Sequence, residues 1–464
     1  MIGLGIGIPF GRRGGIVTSF KSRVAADAGT FEAESCLNTS LNNLRNINLL
    51  NSASLLLTPN AYKVSKMYSI IPNTGAGDFT FSRASTAMRR NASGVWESVA
   101  NNVPRLSYPI GGGCPSWLNE PQSTNVLQHS NNRSLGWTVN ANITRTISGT
   151  QLNPAGQFSE VLTVNSGGTR DILQTTAKAA SSLQYTLTAI LKQSVGDWVV
   201  LQADDGLNVA GYWFNINSKS IGAVRTNGTG FTLQGFTIDD EEFGFIRISV
   251  TITTNTATNL STRIFIVNGN NSLTANAGQS IFLWNMQTEQ RATGTSPIIT
   301  AGSALTRLAD SVVLSNAGAL IGQNEGVIFL QFNFTSGVSI GRIGGISNID
   351  LTNRIVLNIV NTDKIQVIGR ANNTLFFNIS STIALVSGLN RVAIAYQSGN
   401  LALYINGILA NTSTDAFTFS ALVNRAFPFT NEIDTNASNP LLGSLFYLNQ
   451  TRLPNAQLAA LTTL

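Results

Sequence analysis

Alternation of apolar and polar residues constrains this chain more than any other feature. Over residues 246–253 (IRISVTIT) every second residue is a branched aliphatic one, and the residues between them are polar. Because successive side chains of a β-strand point to opposite faces, this segment predicts a strand that covers a core on one side. Residues 185–189 (YTLTA) repeat the pattern, and turn-forming clusters such as 268–271 (NGNN) interrupt it. Short strands separated by turns predict a mainly β chain of tandem antiparallel jelly-roll or β-sandwich domains.

The chain has 464 residues, which is long for one ordinary domain, so we expect several. The change from irregular to alternating sequence predicts four regions. These are an irregular N-terminal segment at 1–60, a small β-rich connecting region at 61–123, a jelly roll at 124–311 and a second β-sandwich at 323–464.

The C-terminal region carries the clearest local signals. Residues 328, 330, 332 and 334 are Ile, Leu, Phe and Phe, which places them on one face of a strand. Asn406-Gly407 lies between two apolar runs and supplies the positive φ angles of a two-residue hairpin turn. Residues 454–461 (PNAQLAAL) predict a short helix with proline in its first turn.

The N-terminal segment is glycine-rich, with one helical pattern at Leu37, Leu41 and Leu44. Most of the net charge of +6 comes from four basic residues that precede the first acidic residue, Asp27. They indicate either a solvated arm or a surface that docks on an acidic partner. These residues are Arg12, Arg13, Lys21 and Arg23.

Two cysteines, Cys36 and Cys114, are too few for a disulfide framework, so we expect two free thiols in a reducing cytosol. The apolar start of the chain precedes its basic residues and is too short for a signal peptide. No stretch is long and apolar enough to span a membrane, and no basic-aromatic pattern suits single-stranded nucleic acid. We therefore expect a soluble protein that neither inserts in membranes nor binds nucleic acid.

Candidate catalytic groups are scarce. The chain has one histidine, His129, in a polar stretch between predicted modules, so it offers neither a nucleophilic triad nor a Cys-His zinc cluster. Glu432 and Asp434 resemble the strand of concanavalin-like glycosidases in which alternate acidic residues project into one groove, but Asn436 replaces the second essential glutamate. We expect no catalytic residues and no enzymatic activity.

The run Asp239-Asp240-Glu241-Glu242 predicts a charged turn, with a structural calcium ion as the alternative. We expect no other cofactor and no other metal. Sugar binding would use exposed aromatic faces, for which the candidates are Trp198, Tyr212 and Trp213, each with core packing as the alternative. Trp137 and Trp284 have aliphatic neighbours and are expected to fill the core.

Four blocks in order resemble modular structural proteins of bacteriophage particles, of the head-fibre or tail-fibre type. They are residues 56–62 (LLTPNAY), 77–86 (GDFTFSRAST), 102–106 (NVPRL) and 120–125 (EPQSTN). Asn119 departs from this pattern, which usually has an apolar residue there.

Two later modules add to the resemblance. The first is similar to a carbohydrate-binding jelly roll, through Trp137 and residues 282–287 (FLWNMQ) and 296–303 (SPIITAGS). The second is similar to laminin-G or concanavalin-like sandwiches, through residues 391–396 (RVAIAY) and the hairpin after them.

The resemblance implies a virion subunit that is made in the host cytoplasm without a signal peptide. It implies a homotrimer that contacts other virion proteins and a host surface glycan, with Arg12, Arg13, Lys21 and Arg23 in the attachment segment. Two alternatives remain. One is a polysaccharide depolymerase of a phage appendage, and the other is a purely architectural decoration protein.

Overall fold

The computed structural model describes residues 15–335, 341–360, 363–430 and 441–463. Its antiparallel sheets confirm the prediction of a mainly β chain. The first 125 residues contribute α1 (Gly15–Ala26), β1 (Thr30–Phe31), α2 (Glu34–Asn46), β2 (Leu55–Lys63), β3 (Lys66–Ile71), β4 (Phe79–Ser82), β5 (Ala87–Arg90), β6 (Trp96–Val99), β7 (Leu106–Ser107), β8 (Ser116–Asn119) and β9 (Ser123–Asn125).

The middle of the chain forms a sandwich of a six-stranded sheet, in the order β10-β14-β21-β16-β17-β18, and an eight-stranded sheet, in the order β11-β12-β23-β15-β20-β19 with β9 and β24 at one side. Leu201, Ile248 and Leu283 are fully buried between the two sheets. The strands are β10 (Thr138–Val139), β11 (Ile143–Leu152), β12 (Phe158–Val164), β13 (Gly168–Thr169), β14 (Asp171–Ala177), β15 (Gln184–Val195), β16 (Trp198–Asp204), β17 (Val209–Asn215), β18 (Ser220–Asn227), β19 (Thr232–Asp240), β20 (Ile246–Thr253), β21 (Asn259–Val267), β22 (Thr274–Ala275), β23 (Ser280–Glu289) and β24 (Leu305–Arg307).

The C-terminal part packs a twelve-stranded sheet against a five-stranded sheet, whose order is β30-β29-β28-β27-β34. The long sheet follows the path β25-β4-β3-β2-β35-β26-β31-β32-β33, with β1, β7 and β8 beside it. The elements are β25 (Ser311–Val313), β26 (Glu325–Phe334), β27 (Gly341–Ser347), β28 (Arg354–Val360), β29 (Lys364–Ala371), β30 (Thr374–Ala384), β31 (Gly388–Gln397), β32 (Leu401–Ile405), β33 (Ile408–Ser413), β34 (Arg425–Pro428), β35 (Leu441–Asn449) and α3 (Asn455–Leu461).

The twelve-stranded sheet joins distant parts of the chain. Leu55 of β2 pairs with Leu448 of β35, and β8 pairs with the other end of β35. The sheet therefore takes strands from parts of three predicted regions, 1–60, 61–123 and 323–464. Their division into separately folding domains stays a prediction.

Helices cover the outer face of the twelve-stranded sheet. Phe20 of α1, Leu41 of α2 and Leu458 of α3 lie in one buried cluster with Phe329 and Tyr447 of the sheet. The helical pattern of Leu37, Leu41 and Leu44 is confirmed, because all three are buried in α2. Over residues 15–50 the N-terminal segment thus forms a third layer on the sheet.

The predicted attachment residues differ in their surroundings. Arg23 is engaged within the fold, since its Nη1 lies 2.7 Å from Oδ2 of Asp78. Lys21 is half exposed and pairs with Glu34 at 2.7 Å. Arg12 and Arg13 lie outside the described residues.

The expectation of two free thiols is wrong. Cys36 at the start of α2 and Cys114 in the loop before β8 form a disulfide, with Cα atoms 5.6 Å apart. They are 78 residues apart in sequence, and only the docking of α2 beside that loop brings them together.

Local predictions in the C-terminal part are confirmed. Ile328, Leu330, Phe332 and Phe334 all face the core between the two sheets. The turn between β32 and β33 has φ angles of 47° at Asn406 and 84° at Gly407, as a two-residue hairpin requires.

A buried ionic cluster joins the jelly roll to the rest of the molecule. Its members are Arg83, Arg105, Glu120, Arg307 and Asp310, whose side chains are at most 1% exposed. Arg105 contacts both carboxylates, with its Nη1 2.5 Å from Oε2 of Glu120. Arg83 pairs with Asp310 at 3.0 Å, and Arg307 pairs with Glu120.

Glu120 is held in its ionised form within this cluster. Burial raises the pKa of Glu120, but the positive charges of Arg307 and Arg105 and two hydrogen bonds from Ser296 outweigh burial and lower the pKa to about 2. Three guanidinium groups thus share two carboxylates, and each carboxylate compensates more than one buried positive charge.

Glu120→Gln is expected to lower the free energy of unfolding by roughly 3–5 kcal/mol, because it leaves buried guanidinium groups without their anion. Urea denaturation at pH 7 measures this loss. The control is Glu97→Gln, which removes a 37% exposed partner of Arg89 and should cost under about 1 kcal/mol. If Glu120→Gln and Glu97→Gln lowered the free energy of unfolding equally, the proposed role of the buried cluster would be contradicted.

The same pair of proteins should differ in their response to acid. The folded pKa of Glu120 lies below its ordinary value of 4.5, so the charge stabilises the fold above that pH and the contribution is lost as pH falls toward 2. The stability gap between the wild type and Glu120→Gln should therefore narrow over that range, and a constant gap would count against this role.

Replacing Cys36 and Cys114 together by serine is expected to lower the free energy of unfolding by roughly 2–4 kcal/mol, since the disulfide restricts a long loop of the unfolded chain. Thermal melts with and without reductant check this. Reductant should lower the melting temperature of the wild type and leave that of the double serine variant unchanged. A wild type that melts identically under both conditions would contradict the structural link.

Candidate functional site

The outer face of the six-stranded sheet carries a row of polar side chains. Arg263 of β21 pairs with Gln202 of β16, Gln202 pairs with Gly211 of β17, and Gly211 pairs with Arg225 of β18. Four adjacent strands thus place these residues, which we call the arginine row, side by side over roughly 14 Å. A Cβ atom at Gly211 would lie 2.3 Å from the carbonyl oxygen of Leu201, so glycine allows the strands to approach there.

A connected network orders the side chains of the arginine row. Nε of Arg225 donates a hydrogen bond to Oε1 of Gln202, and Nε2 of Gln202 lies 3.4 Å from Oδ2 of Asp204. Nε of Arg263 lies 3.1 Å from Oδ2 of Asp204 and 3.5 Å from Oδ2 of Asp171. Positive and negative groups therefore alternate across the face.

The pKa values indicate partial desolvation of this network. Burial raises the pKa of Asp171, against the opposing charge of Arg263. Burial also lowers the pKa of Arg225, and the positive charge of Arg263 adds to that effect. The Arg263 side chain is 28% exposed, so a ligand in solution can reach it. Polar groups in such surroundings form stronger hydrogen bonds than fully hydrated ones.

The structure brings Trp198 and Trp213, but not Tyr212, to this face. Trp198 and Val200 alternate with core residues along β16, and Val200 pairs with Trp213. Tyr212 points to the opposite side, where its ring lies 5.3 Å from that of Phe236.

Trp213 is largely closed off from ligands. Its side chain is 3% exposed, and its Nε1 donates a hydrogen bond to the carbonyl oxygen of Ser272 at 2.7 Å. The guanidinium of Arg225 lies 5.8 Å from its ring. Trp198 is half-buried and packs against the cluster of Val200 and Trp213, so it is the more exposed of the two tryptophans on this face.

Sequence reasoning missed Gln202, Asp204, Arg225 and Arg263. A signal was present, because the outward positions of β16 pass from apolar to polar residues over 198–204 (WVVLQAD). Which residues of other strands lie beside these positions depends on strand register, and a single sequence does not give that register.

The acidic run at 239–242 differs from the predicted charged turn, because Asp239 and Asp240 end β19 and only Glu242 begins a turn, and its carboxylates diverge. Glu241 is buried and pairs with Arg90 at 2.9 Å and Arg247 at 3.0 Å, while Asp240 pairs with Lys219. Within the described ranges, no group of three or more acidic, histidine or cysteine residues could hold a metal ion, so the structure offers no basis for calcium there.

Glu432 and Asp434 lie outside the described residues.

His129 lies in an isolated bridge with Ala301, and its backbone carbonyl accepts a hydrogen bond from Nε1 of Trp137 at 2.6 Å. Trp137 and Trp284 are both buried, as predicted. No helix in the part of the chain that the structure describes is long and apolar enough to cross a membrane.

A cavity of about 480 Å³ lies where the β5–β6 hairpin meets the jelly roll. Trp96, Trp284, Glu97 and Arg307 are among its lining residues. Trp96 and Trp284 are at most 6% exposed and belong to one buried cluster, so neither indole ring offers an open face to a sugar.

No family model matches this chain, and no curated protein matches it. Among solved structures, similar ones include the CBM40 of the Ruminococcus gnavus IT-sialidase, with 19% identity, a TM-score of 0.26 and coverage of 30% of this chain and 84% of that one. Domain 4 of AbnA, an extracellular arabinanase of Geobacillus stearothermophilus in complex with arabinotriose, has 16% identity, a TM-score of 0.26 and coverage of 34% and 77%. A pentraxin of Limulus polyphemus has 15% identity, a TM-score of 0.25 and coverage of 29% and 68%. These values are too low to transfer a function.

Proposed function

We propose that this chain is a non-enzymatic structural subunit of a bacteriophage appendage, and that its jelly roll binds a host surface glycan at the arginine row. The observation that carries the glycan part is the ordered network of Arg225, Gln202, Asp204 and Arg263 on a sheet face that remains partly exposed.

The chemistry of the arginine row suits a sugar. The guanidinium groups of Arg225 and Arg263 are half-buried and can donate hydrogen bonds to sugar hydroxyl oxygens. Gln202 and Asp204 are buried beneath them and hold them in position. Trp198 lies on the same face and offers an apolar ring surface to the apolar face of a pyranose. Because the groups already hold each other in place, little side-chain entropy is lost on binding.

The virion part of the proposal rests on the resemblance to phage structural proteins, and the disulfide agrees with a role in oxidising surroundings outside the cell. The blocks at 77–86, 102–106 and 120–125, which carry the resemblance to phage structural proteins, supply Arg83, Arg105 and Glu120 to the ionic cluster. The proposal keeps the homotrimer and the virion partners that the resemblance implies.

The absence of enzymatic activity is part of the same proposal. The backbone carbonyl of the chain's single histidine, His129, accepts a hydrogen bond from Trp137, and the two acidic partners of the arginine row, Asp171 and Asp204, lie against the guanidinium of Arg263. A depolymerase would release reducing ends from host polysaccharide, whereas a binding subunit leaves the polymer intact.

Arg263→Gln is expected to weaken binding to the best ligand of a bacterial surface-glycan array at least tenfold, because it removes a charged donor from the centre of the arginine row. Arg145→Gln is the matched control. Arg145 is 30% exposed and pairs with Glu160 on the other sheet, so this change should leave binding as it was.

An array that returns nothing above background for the wild type would instead favour the purely architectural alternative. Equal binding by the wild type and Arg263→Gln would remove the arginine row from the site. Reducing ends released from the bound polysaccharide would contradict the non-enzymatic role and favour the depolymerase.

Deletion of residues 1–14 is expected to abolish incorporation into phage particles while the remaining chain folds, since these residues include Arg12 and Arg13 but none of the side chains of α1 and α2 that pack on the sheet. Detection of the tagged protein in purified particles measures incorporation, and a thermal melt checks the fold. Full incorporation of the shortened chain would contradict attachment through this segment.

A further inference from the structure

The outer face of the five-stranded sheet carries a second set of aligned arginines. Arg354 of β28 pairs directly with Arg370 of β29, and both alternate with core residues such as Ile355 and Gly369. Their side chains therefore leave the sheet on the same side and start from strands about 5 Å apart. We call Arg354 and Arg370 the basic pair. Arg425 lies farther along the same row, across Ser347, and has contacts of its own.

The basic pair is held by a tight turn. Asn372 and Asn373 have φ angles of 47° and 63°, which form the two-residue turn between β29 and β30. Nη1 of Arg370 donates a hydrogen bond to the backbone carbonyl of Asn373 at 2.6 Å, and Nη1 of Arg354 lies 3.4 Å from its side-chain oxygen. Nη1 of Arg354 also donates to the carbonyl oxygen of Leu351. One turn thus orients both guanidinium groups.

No carboxylate compensates these two charges within the described ranges of the chain. Among the described residues, neither Arg354 nor Arg370 forms an ion pair with a carboxylate. Arg263, Arg105 and Arg23, in contrast, each have an acidic partner. Burial lowers the pKa of Arg354, and the positive charge of Arg370 lowers it further. Two like charges, partly desolvated and held side by side, attract an anion that can bridge them.

The rest of this sheet face identifies the kind of anion. In the register, Val356 pairs with Ile368 beside the basic pair, and Asn358 pairs with Gln366 one row farther on. Ser380 of β30 extends the second of these rows. The row of Val356 and Ile368 also contains Phe427, which pairs with Gly345 beside Val356, and both Phe427 and Val356 are buried. The accessible groups of this face are therefore cations at one end and amide and hydroxyl groups at the other. Because Phe427 is buried, it offers no open ring in these rows to a nucleic-acid base.

We propose that this face binds an acidic polysaccharide, with a sugar carboxylate bridging Arg354 and Arg370 and the hydroxyls of sugars farther along the polymer facing Asn358, Gln366 and Ser380. The site lies on a different sheet from the arginine row and is independent of the function proposed for it. A chain with both faces would contact a charged glycan through its C-terminal sandwich and a second glycan through its jelly roll.

The test uses the full chain and four variants, with alginate as an acidic polysaccharide, dextran as an uncharged one and oligothymidylate as a nucleic acid. Titration calorimetry at low and high salt measures affinity. We expect alginate to bind, to bind more weakly at high salt, and to bind at least tenfold more tightly than dextran or oligothymidylate.

The double variant Arg354→Gln/Arg370→Gln should lose at least tenfold in affinity for alginate, and Arg370→Gln alone should show a smaller loss. Arg263→Gln keeps the basic pair and should bind alginate as the wild type does. Arg452→Gln is the control for an arginine outside both faces, and it too should bind normally. A thermal melt of each variant confirms that it is folded.

Four results would overturn the proposal. They are no binding of alginate by the wild type, equal affinity for dextran, tighter binding of oligothymidylate, and undiminished affinity in both Arg370→Gln and the double variant. Loss of alginate binding in Arg263→Gln alone would assign that binding to the arginine row instead.

Discussion

The buried ionic cluster of Arg83, Arg105, Glu120, Arg307 and Asp310 is the interaction on which the arrangement of the molecule depends. Arg83, Arg105 and Glu120 come from the region before the jelly roll, and Arg307 and Asp310 come from the end of the jelly roll. Since burying an unpaired charge is far more costly than burying a paired one, the stretches must meet in the one geometry that pairs every group. The cluster thereby fixes how the jelly roll sits on the C-terminal sandwich.

A second ionic group acts at the same junction. Glu241 of the jelly roll accepts a hydrogen bond from Nε1 of Trp96 at 2.8 Å and pairs with Arg90, both from the β5–β6 hairpin. Arg247 completes the group from within the jelly roll. Both groups lie on the side of the eight-stranded sheet, so part of that sheet packs against the rest of the molecule. The arginine row lies on the outer face of the six-stranded sheet, away from this junction.

Sequence reasoning succeeded where structure is set by neighbours along the chain. Alternation predicted the strand at 246–253, Asn406-Gly407 predicted a hairpin, and Leu41 with its helical partners predicted α2. It failed where distant segments meet. The pairing of Leu55 with Leu448 and the disulfide of Cys36 both depend on contacts across the sheet, which a local pattern does not encode. The candidate site divides in the same way, since sequence reasoning named Trp198 and Trp213 as candidates, but only strand register places them on one face with Arg225 and Arg263.

Arginine footprinting tests most directly the claim that the outer face of the six-stranded sheet binds a glycan. The protein would be treated with phenylglyoxal in the absence and presence of its best array ligand, and modified arginines would be mapped by mass spectrometry. The account predicts that the ligand shields Arg225 and Arg263, while Arg145 on the other sheet reacts equally in both samples. Unchanged reactivity of Arg225 and Arg263 in the saturated complex would contradict it.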